Sequence, residues 1–229
     1  MTYEASNATE LDARDVLSQT DAESSLTHAV LKSATRPWHD RTEAAVPWEL
    51  GFSSESAYRE LLLGWLRLIA PAEDAIQRCF PKRPAVLPEP GTMTSWLEQD
   101  LRILSEGSGR FEVPEEREPA DFSLVRTPAM AAGCAYVLMG SMLGGRVLSR
   151  ELSRRLNIQA DTGGRYFSGL GTGTPQRWGD FVSWLNSTIV SAGDQQAAVE
   201  GAILTFERFL AVFCGRFHDR LLTILHRTS

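Results

Sequence analysis

Three closely spaced glycines interrupt the most helix-prone stretch of the chain. Residues 129–156 read AMAAGCAYVLMGSMLGGRVLSRELSRRL, with Gly140, Gly144 and Gly145 in their midst. Each glycine costs a helix about 0.5–1 kcal/mol relative to alanine, so three together need a reason. Gly140 and Gly144 are four residues apart and share a helix face. Two reasons fit: a flat ligand lies against backbone that has no room for a Cβ, or another helix packs closely there. His39, in LKSATRPWHDRTE, is the second residue with chemical potential. A lone histidine is most often a satisfied surface or core residue, but its neutral imidazole is also an axial ligand for haem iron. His28, His218 and His226 lack comparable company. No histidine has a glutamate three positions before it, so the Glu-x-x-His pairs of di-iron bundles and the HExxH motif are both absent.

Two stripes accompany these residues. Phe206, Phe209, Phe213 and Phe217 follow spacings of three, four and four, which aligns them on one helix face. Such a stripe is core or the wall of an apolar planar ligand. Arg146, Arg150 and Arg154, with Arg155 beside them, form a basic stripe that reads as a solvated face or as a dock for an acidic electron donor.

Positioning these residues falls to helices. Apolar positions recur at helical spacing near 26–46, 54–79, 92–106, 128–157, 175–191 and 194–227, and no strand pattern competes. Ser53 or Ser54 is placed to cap the second helix, while Pro37 and Pro71 fall inside helices and are expected to kink them. Pro81, Pro84, Pro88 and Pro90 predict an extended connection. Gly163, Gly164, Gly169, Gly171 and Gly173 predict an irregular one that ends where Thr174 and Pro175 start a helix. Long helices with short links indicate an all-α, single-domain bundle over residues 25–229, preceded by an acidic, mobile extension over residues 1–24.

Composition removes several function classes. Six acidic residues (Glu4, Glu10, Asp12, Asp15, Asp21 and Glu23) against Arg14 give the N-terminal extension −5 of the net −6. The remaining body is near neutral, so nucleic acid and an anionic membrane are not expected partners. The longest apolar candidate, Leu61 to Ala70, is interrupted by Arg67, and no secretory signal is legible, so the expected location is cytoplasmic. Cys79, Cys134 and Cys214 are odd in number and far apart, which predicts free thiols.

Taken together, LKSATRPWHDRTE, AYVLMGSMLGGRVLSREL and the tryptophan- and phenylalanine-containing end resemble the haem oxygenase family, especially its bacterial, phytochrome-associated branch. The resemblance runs from about Leu26 to Phe213 and rests on the order and spacing of three motifs. It implies the helical bundle of that family, with haem b as both cofactor and substrate and dioxygen as co-substrate. His39 matches the proximal iron ligand, and Lys32, two helical turns earlier, matches a residue that meets a haem propionate. Gly140, Ser141, Gly144 and Gly145 match the distal helix, with Ser141, Gly140 and Gly144 as the catalytic set. Phe206 matches a haem contact of the last helix; Tyr136, Arg177 and Arg208 are further possible partners of the ring.

Two positions depart from the family pattern: Met139 stands where the bacterial branch usually has glutamate, and Ser141 where the animal branch has aspartate. The implied activity is oxidative cleavage of haem to biliverdin, carbon monoxide and ferrous iron. It requires an external electron donor such as a ferredoxin or reductase, and a bacteriophytochrome is a candidate recipient of biliverdin. The alternatives are a non-catalytic haem-binding or haem-sensing protein on the same fold, and a helical interaction module whose glycines serve packing alone.

Overall fold

The computed structural model describes residues 26–105 and 119–214. Within them lie eight α-helices and one 3-10 turn: α1 (Thr27–Ala45), α2 (Trp48–Gly51), α3 (Glu55–Cys79), α4 (Thr92–Ile103), α5 (Pro128–Leu156), α6 (Arg165–Ser168), the turn Gly171–Gly173, α7 (Thr174–Thr188) and α8 (Ala192–Phe213). There is no strand among the described residues, and the all-α expectation holds. The acidic extension, Phe217, His218 and His226 lie outside the described residues.

Local chemistry sets the helix ends. Ser54, not Ser53, caps α3 by accepting from the Ala57 amide at 3.1 Å, and Thr127 caps α5 by accepting from Met130 at 3.2 Å, ahead of Pro128 in the first turn. Asn157 closes α5 in the left-handed conformation at φ 56°. Both α1 and α3 continue through Pro37 and Pro71. The proline-rich connection is not extended: Arg83 donates to the carbonyls of Pro84, Leu87 and Pro88 and pairs with Glu89, which curls the loop around one guanidinium. Five hydrogen-bond donors on one planar group make that possible, and proline spacing alone does not reveal it.

The core sits where α5 and α8 cross. A Cβ on Gly133 would lie 1.8 Å from the Ala198 carbonyl oxygen, and one on Gly201 would lie 2.1 Å from the Met130 carbonyl oxygen. The two backbones therefore meet at reciprocal glycines, and these are the packing glycines of the fold. α8 also backs α1 and α3, α3 supports α4, and α6 wedges between α4 and α5. α5 is long and apolar enough by composition to cross a membrane, which the search for apolar runs missed by settling on Leu61 to Ala70; 56% of its apolar window is buried inside this bundle. Cys79 and Cys134 are buried free thiols, and Cys214 is exposed.

Candidate functional site: a glycine-walled cavity between α1 and α5

α1 and α5 face each other across a cavity of about 1160 Å³, slightly above the usual range of about 300–1,000 Å³ for small-ligand sites. α1 contributes His28, Lys32, Arg36, His39 and Thr42, and α5 contributes Tyr136, Gly140, Ser141, Gly144 and Gly145. The floor is aromatic: Trp65 from α3, Phe167 from α6, and Phe206 and Phe209 from α8. Trp65 packs edge-on to Phe209 at 4.9 Å between ring centroids and lies 5.3 Å from Tyr166. These rings are almost fully buried, so the floor is rigid and apolar.

The three cavity-side glycines of α5, Gly140, Gly144 and Gly145, divide by role. A Cβ on Gly144 would meet nothing within 4 Å, and one on Gly140 would only touch the Trp178 ring at 3.7 Å. A Cβ on Gly145 would instead lie 2.8 Å from the Phe167 carbonyl oxygen. Close packing accounts for Gly145, which lets α6 approach α5, whereas Gly140 and Gly144 hold bare backbone against open cavity and are not required by packing. Met139 points elsewhere, being 2% exposed in the core beneath α5, close to Glu73.

His39 stands at the cavity rim, its side chain 63% exposed. Its Nδ1 lies 3.6 Å from Asp40 and 3.9 Å from Glu43, and its ring meets Phe206 edge-on at 6.3 Å. Nδ1 faces the carboxylates, which leaves Nε2 as the nitrogen open to a ligand. Lys32 and Arg36, four residues apart on the same face, give the rim its cations. His28 was read as unaccompanied, but it lines the same cavity, 6.1 Å from Tyr136 and 5.8 Å from Trp178 between ring centroids. Burial, helped by the nearby charge of Lys32, lowers its pKa and favours the neutral ring. Burial likewise raises the Tyr136 phenol, partly offset by the Thr35 hydroxyl.

Other expectations are corrected. Arg177 donates to the Ala85 carbonyl at 3.0 Å and Arg208 to the Asp121 carbonyl at 2.7 Å, so neither guanidinium lines the cavity. In the basic stripe, Arg154 and Arg155 are tied to Glu151, at 2.7 and 3.3 Å, and belong to the outer surface of α5. Phe206 and Phe209 reach the cavity, whereas Phe213 is core. Trp65 reads in the sequence as an ordinary core residue of the second helix, and Tyr166 and Phe167 are hidden because the irregular glycine-rich connection gives no sign that it carries a helical turn under α5.

The cavity suits haem on three observations. Its wall is apolar and aromatic, a bare backbone edge is open at Gly144, and an imidazole stands opposite. In addition, the buried indole Nε1 of Trp65 and the buried hydroxyl of Thr42 have no hydrogen-bond partner among the described residues, and each belongs to a cavity-lining residue. Unpaired buried donors of this kind need an acceptor from a ligand or water. An all-α bundle with a large, aromatic-floored cavity between its first and its glycine-rich helix defines the class: a haem-pocket protein of the helical type. The heme oxygenase family profile matches residues 25–214, and the chain belongs to that family. It is an enzyme of the haem-degrading class. Solved structures agree on the fold: the NO- and CO-bound heme oxygenase of Neisseria meningitidis (TM-score 0.62, 22% identity, 84% of this chain and 92% of that one) and the heme oxygenase of Leptospira interrogans (TM-score 0.66, 17% identity, 82% and 98%). No curated protein sequence matches significantly.

Proposed function

We propose that this chain binds haem b between α1 and α5 and opens its ring to biliverdin, releasing carbon monoxide and ferrous iron, with dioxygen and an external electron donor as co-reactants. The observation that carries the reading is the bare backbone at Gly144, open to a cavity whose far side bears His39. Haem, when bound, supplies both the iron at which oxygen is reduced and the ring that is opened. The protein's own contribution is binding, orientation and control of protons.

His39 Nε2 would be the ligating atom, with Asp40 and Glu43 beside Nδ1 favouring the tautomer that leaves Nε2 free to ligate. Lys32 and Arg36 pair with the propionates at the rim, and Tyr136 borders the same mouth. Phe206 and Phe209 hold one face of the ring by dispersion and apolar burial. Gly140 and Gly144 would leave bare backbone on the other side of the bound ring, with room there for a small co-reactant, and Gly145 holds the helix in place through α6. Ser141, whose hydroxyl donates to the Leu138 carbonyl at 2.7 Å, would accept from ordered water on that side, and the water would supply the hydrogen bond. We further propose a cytoplasmic location, a ferredoxin or reductase as donor, and delivery of biliverdin to a bacteriophytochrome of the kind the motif pattern suggests.

Replacing His39 tests the ligand assignment. His39→Ala is expected to lose turnover and to alter the Soret band of added hemin, with partial recovery on adding imidazole. Full turnover in His39→Ala would remove His39 from the mechanism.

A further inference from the structure

α1, α4 and α6 each begin without a side-chain cap of their own, on Leu26, Gly91 and Gly164. Their first amides are met instead by side chains of other helices. Glu73, on α3, accepts the backbone N–H groups of Met93 and Thr94 at 3.1 and 2.9 Å. Asp100, on α4 and fully buried, accepts those of Arg165 and Tyr166, both at 2.8 Å, and so fixes α6, whose Phe167 floors the cavity. Asn186, on α7, accepts the N–H of His28 through its Oδ1 at 2.9 Å. The open N–H groups of a helix start need such acceptors, and an acceptor on a neighbouring helix also decides where that start stands.

What Asn186 holds is the helix that bears His39 and Lys32. The corner where α7 meets α8 grips the start of α1 at several points. The buried Thr27 hydroxyl donates to the Ile189 carbonyl and accepts from the Gln195 side-chain amide at 3.1 Å. The His28 ring meets Trp178 edge-on at 5.8 Å between centroids, and Trp178 lies about two turns before Asn186 on α7. α7 therefore holds His28 by its backbone and by its ring, while α1 has no acidic residue in its first turn to do the same locally.

Phase is what such a grip controls. His28, Lys32, Thr35, His39, Thr42 and Val46 all line the cavity, at spacings of four, three, four, three and four, and so form one face of α1. Each residue turns a helix by about 100°, so a slip of one position would swing the whole row away from the cavity. We propose, resting on the haem reading above, that Asn186 is the positioning residue for α1, its amide oxygen setting the phase in which Lys32 and His39 meet the ligand. His28 and His39 are about 16 Å apart along the axis at helical rise, so Asn186 acts through α1 and touches no reacting atom. The consequence falls on binding: once the start of α1 is released, only the fraction of chains with α1 in phase takes up the ligand.

The test compares the full-length chain with Asn186→Leu, Asn186→Asp and Ser187→Ala, the last an exposed neighbour whose hydroxyl bonds only within α7. Amide hydrogen exchange of the ligand-free protein and hemin titration well below the melting transition are measured for each. Asn186→Leu removes the acceptor and is expected to speed exchange in the first turn of α1 and to weaken hemin binding, each by about 3- to 30-fold, the span of a lost helix cap. Asn186→Asp keeps an acceptor at the helix start and should restore both values; Ser187→Ala should move neither. Wild-type exchange or wild-type hemin affinity in Asn186→Leu overturns the proposal, as does an Asn186→Asp protein that behaves like Asn186→Leu. Should Asn186→Leu not fold, Asn186→Ala, which removes the acceptor without adding apolar bulk, is read in its place. A wild-type chain that takes up no hemin overturns the haem reading itself, whereas normal wild-type uptake with an unmoved Asn186→Leu overturns only the role of Asn186.

Discussion

Asp100 and His39 mark the two ways a single side chain serves this site. His39 works exposed at the rim, where its imidazole is free to meet a ligand; Asp100 works fully buried, where its carboxylate organises backbone. Burial pushes the Asp100 carboxyl from near 3.8 up to about 6, against the opposing pull of the Tyr166 and Arg165 amides and the Arg165 charge. The sign of the consequence follows: a carboxyl harder to ionise in the folded state contributes stability below pH about 4 that is lost as pH rises through about 6. At roughly 1.4 kcal/mol per pKa unit, that is about 3 kcal/mol across the interval. Denaturant unfolding of wild type and Asp100→Asn between pH 4 and 6.5 should therefore show the wild type losing ground on the variant as pH increases; parallel curves would mean that Asp100 titrates normally. At constant low pH the asparagine variant should be less stable, because its amide nitrogen cannot accept from one of the two α6 N–H groups. His39 was legible in the sequence by type and motif. Asp100 was not, because nothing in a sequence links residue 100 to amides 65 positions away.

α5 carries most of the account at the element scale, and its glycines make the contrast testable. Gly144→Ala adds a Cβ that meets nothing within 4 Å, so the ligand-free protein should gain about 0.5–1 kcal/mol from helix propensity. The same substitution should weaken hemin binding or slow turnover, because the added methyl stands in the cavity. Gly133→Ala places its Cβ 1.8 Å from a carbonyl oxygen of α8, and should cost about 1–3 kcal/mol or more without touching the site. Thermal melts with and without hemin check both; a Gly144→Ala protein with unchanged hemin affinity and turnover would argue that the ring lies elsewhere. The sequence revealed that α5 is a helix with glycines needing a reason, since 3.6-residue periodicity and helix propensity are local properties. It did not separate Gly145, which meets α6, from Gly144, which meets space, because that distinction depends on neighbours remote in sequence. The short helices α2 and α6 were missed for a related reason: four residues are too few to display a period.

The whole molecule is a bundle whose tightest crossing, α5 on α8, holds one side of a cavity that α1 closes from the other. The order and approximate bounds of its six long helices followed from apolar spacing, because one amphipathic face per helix is what a bundle must bury. The cavity itself is a property of the assembled helices, and only the motif resemblance anticipated it. Ligand linkage gives a global prediction: hemin in hundredfold excess over its dissociation constant should raise stability by about 2.7 kcal/mol, visible as a higher melting temperature. The most direct test of the central claim is an absorption titration of the full chain with hemin, followed in the same cuvette by aerobic addition of ascorbate or a ferredoxin system. A saturating Soret band that then decays into the broad red absorption of biliverdin is the expected result. A Soret band that persists through many reducing equivalents, or one that never forms, would contradict it.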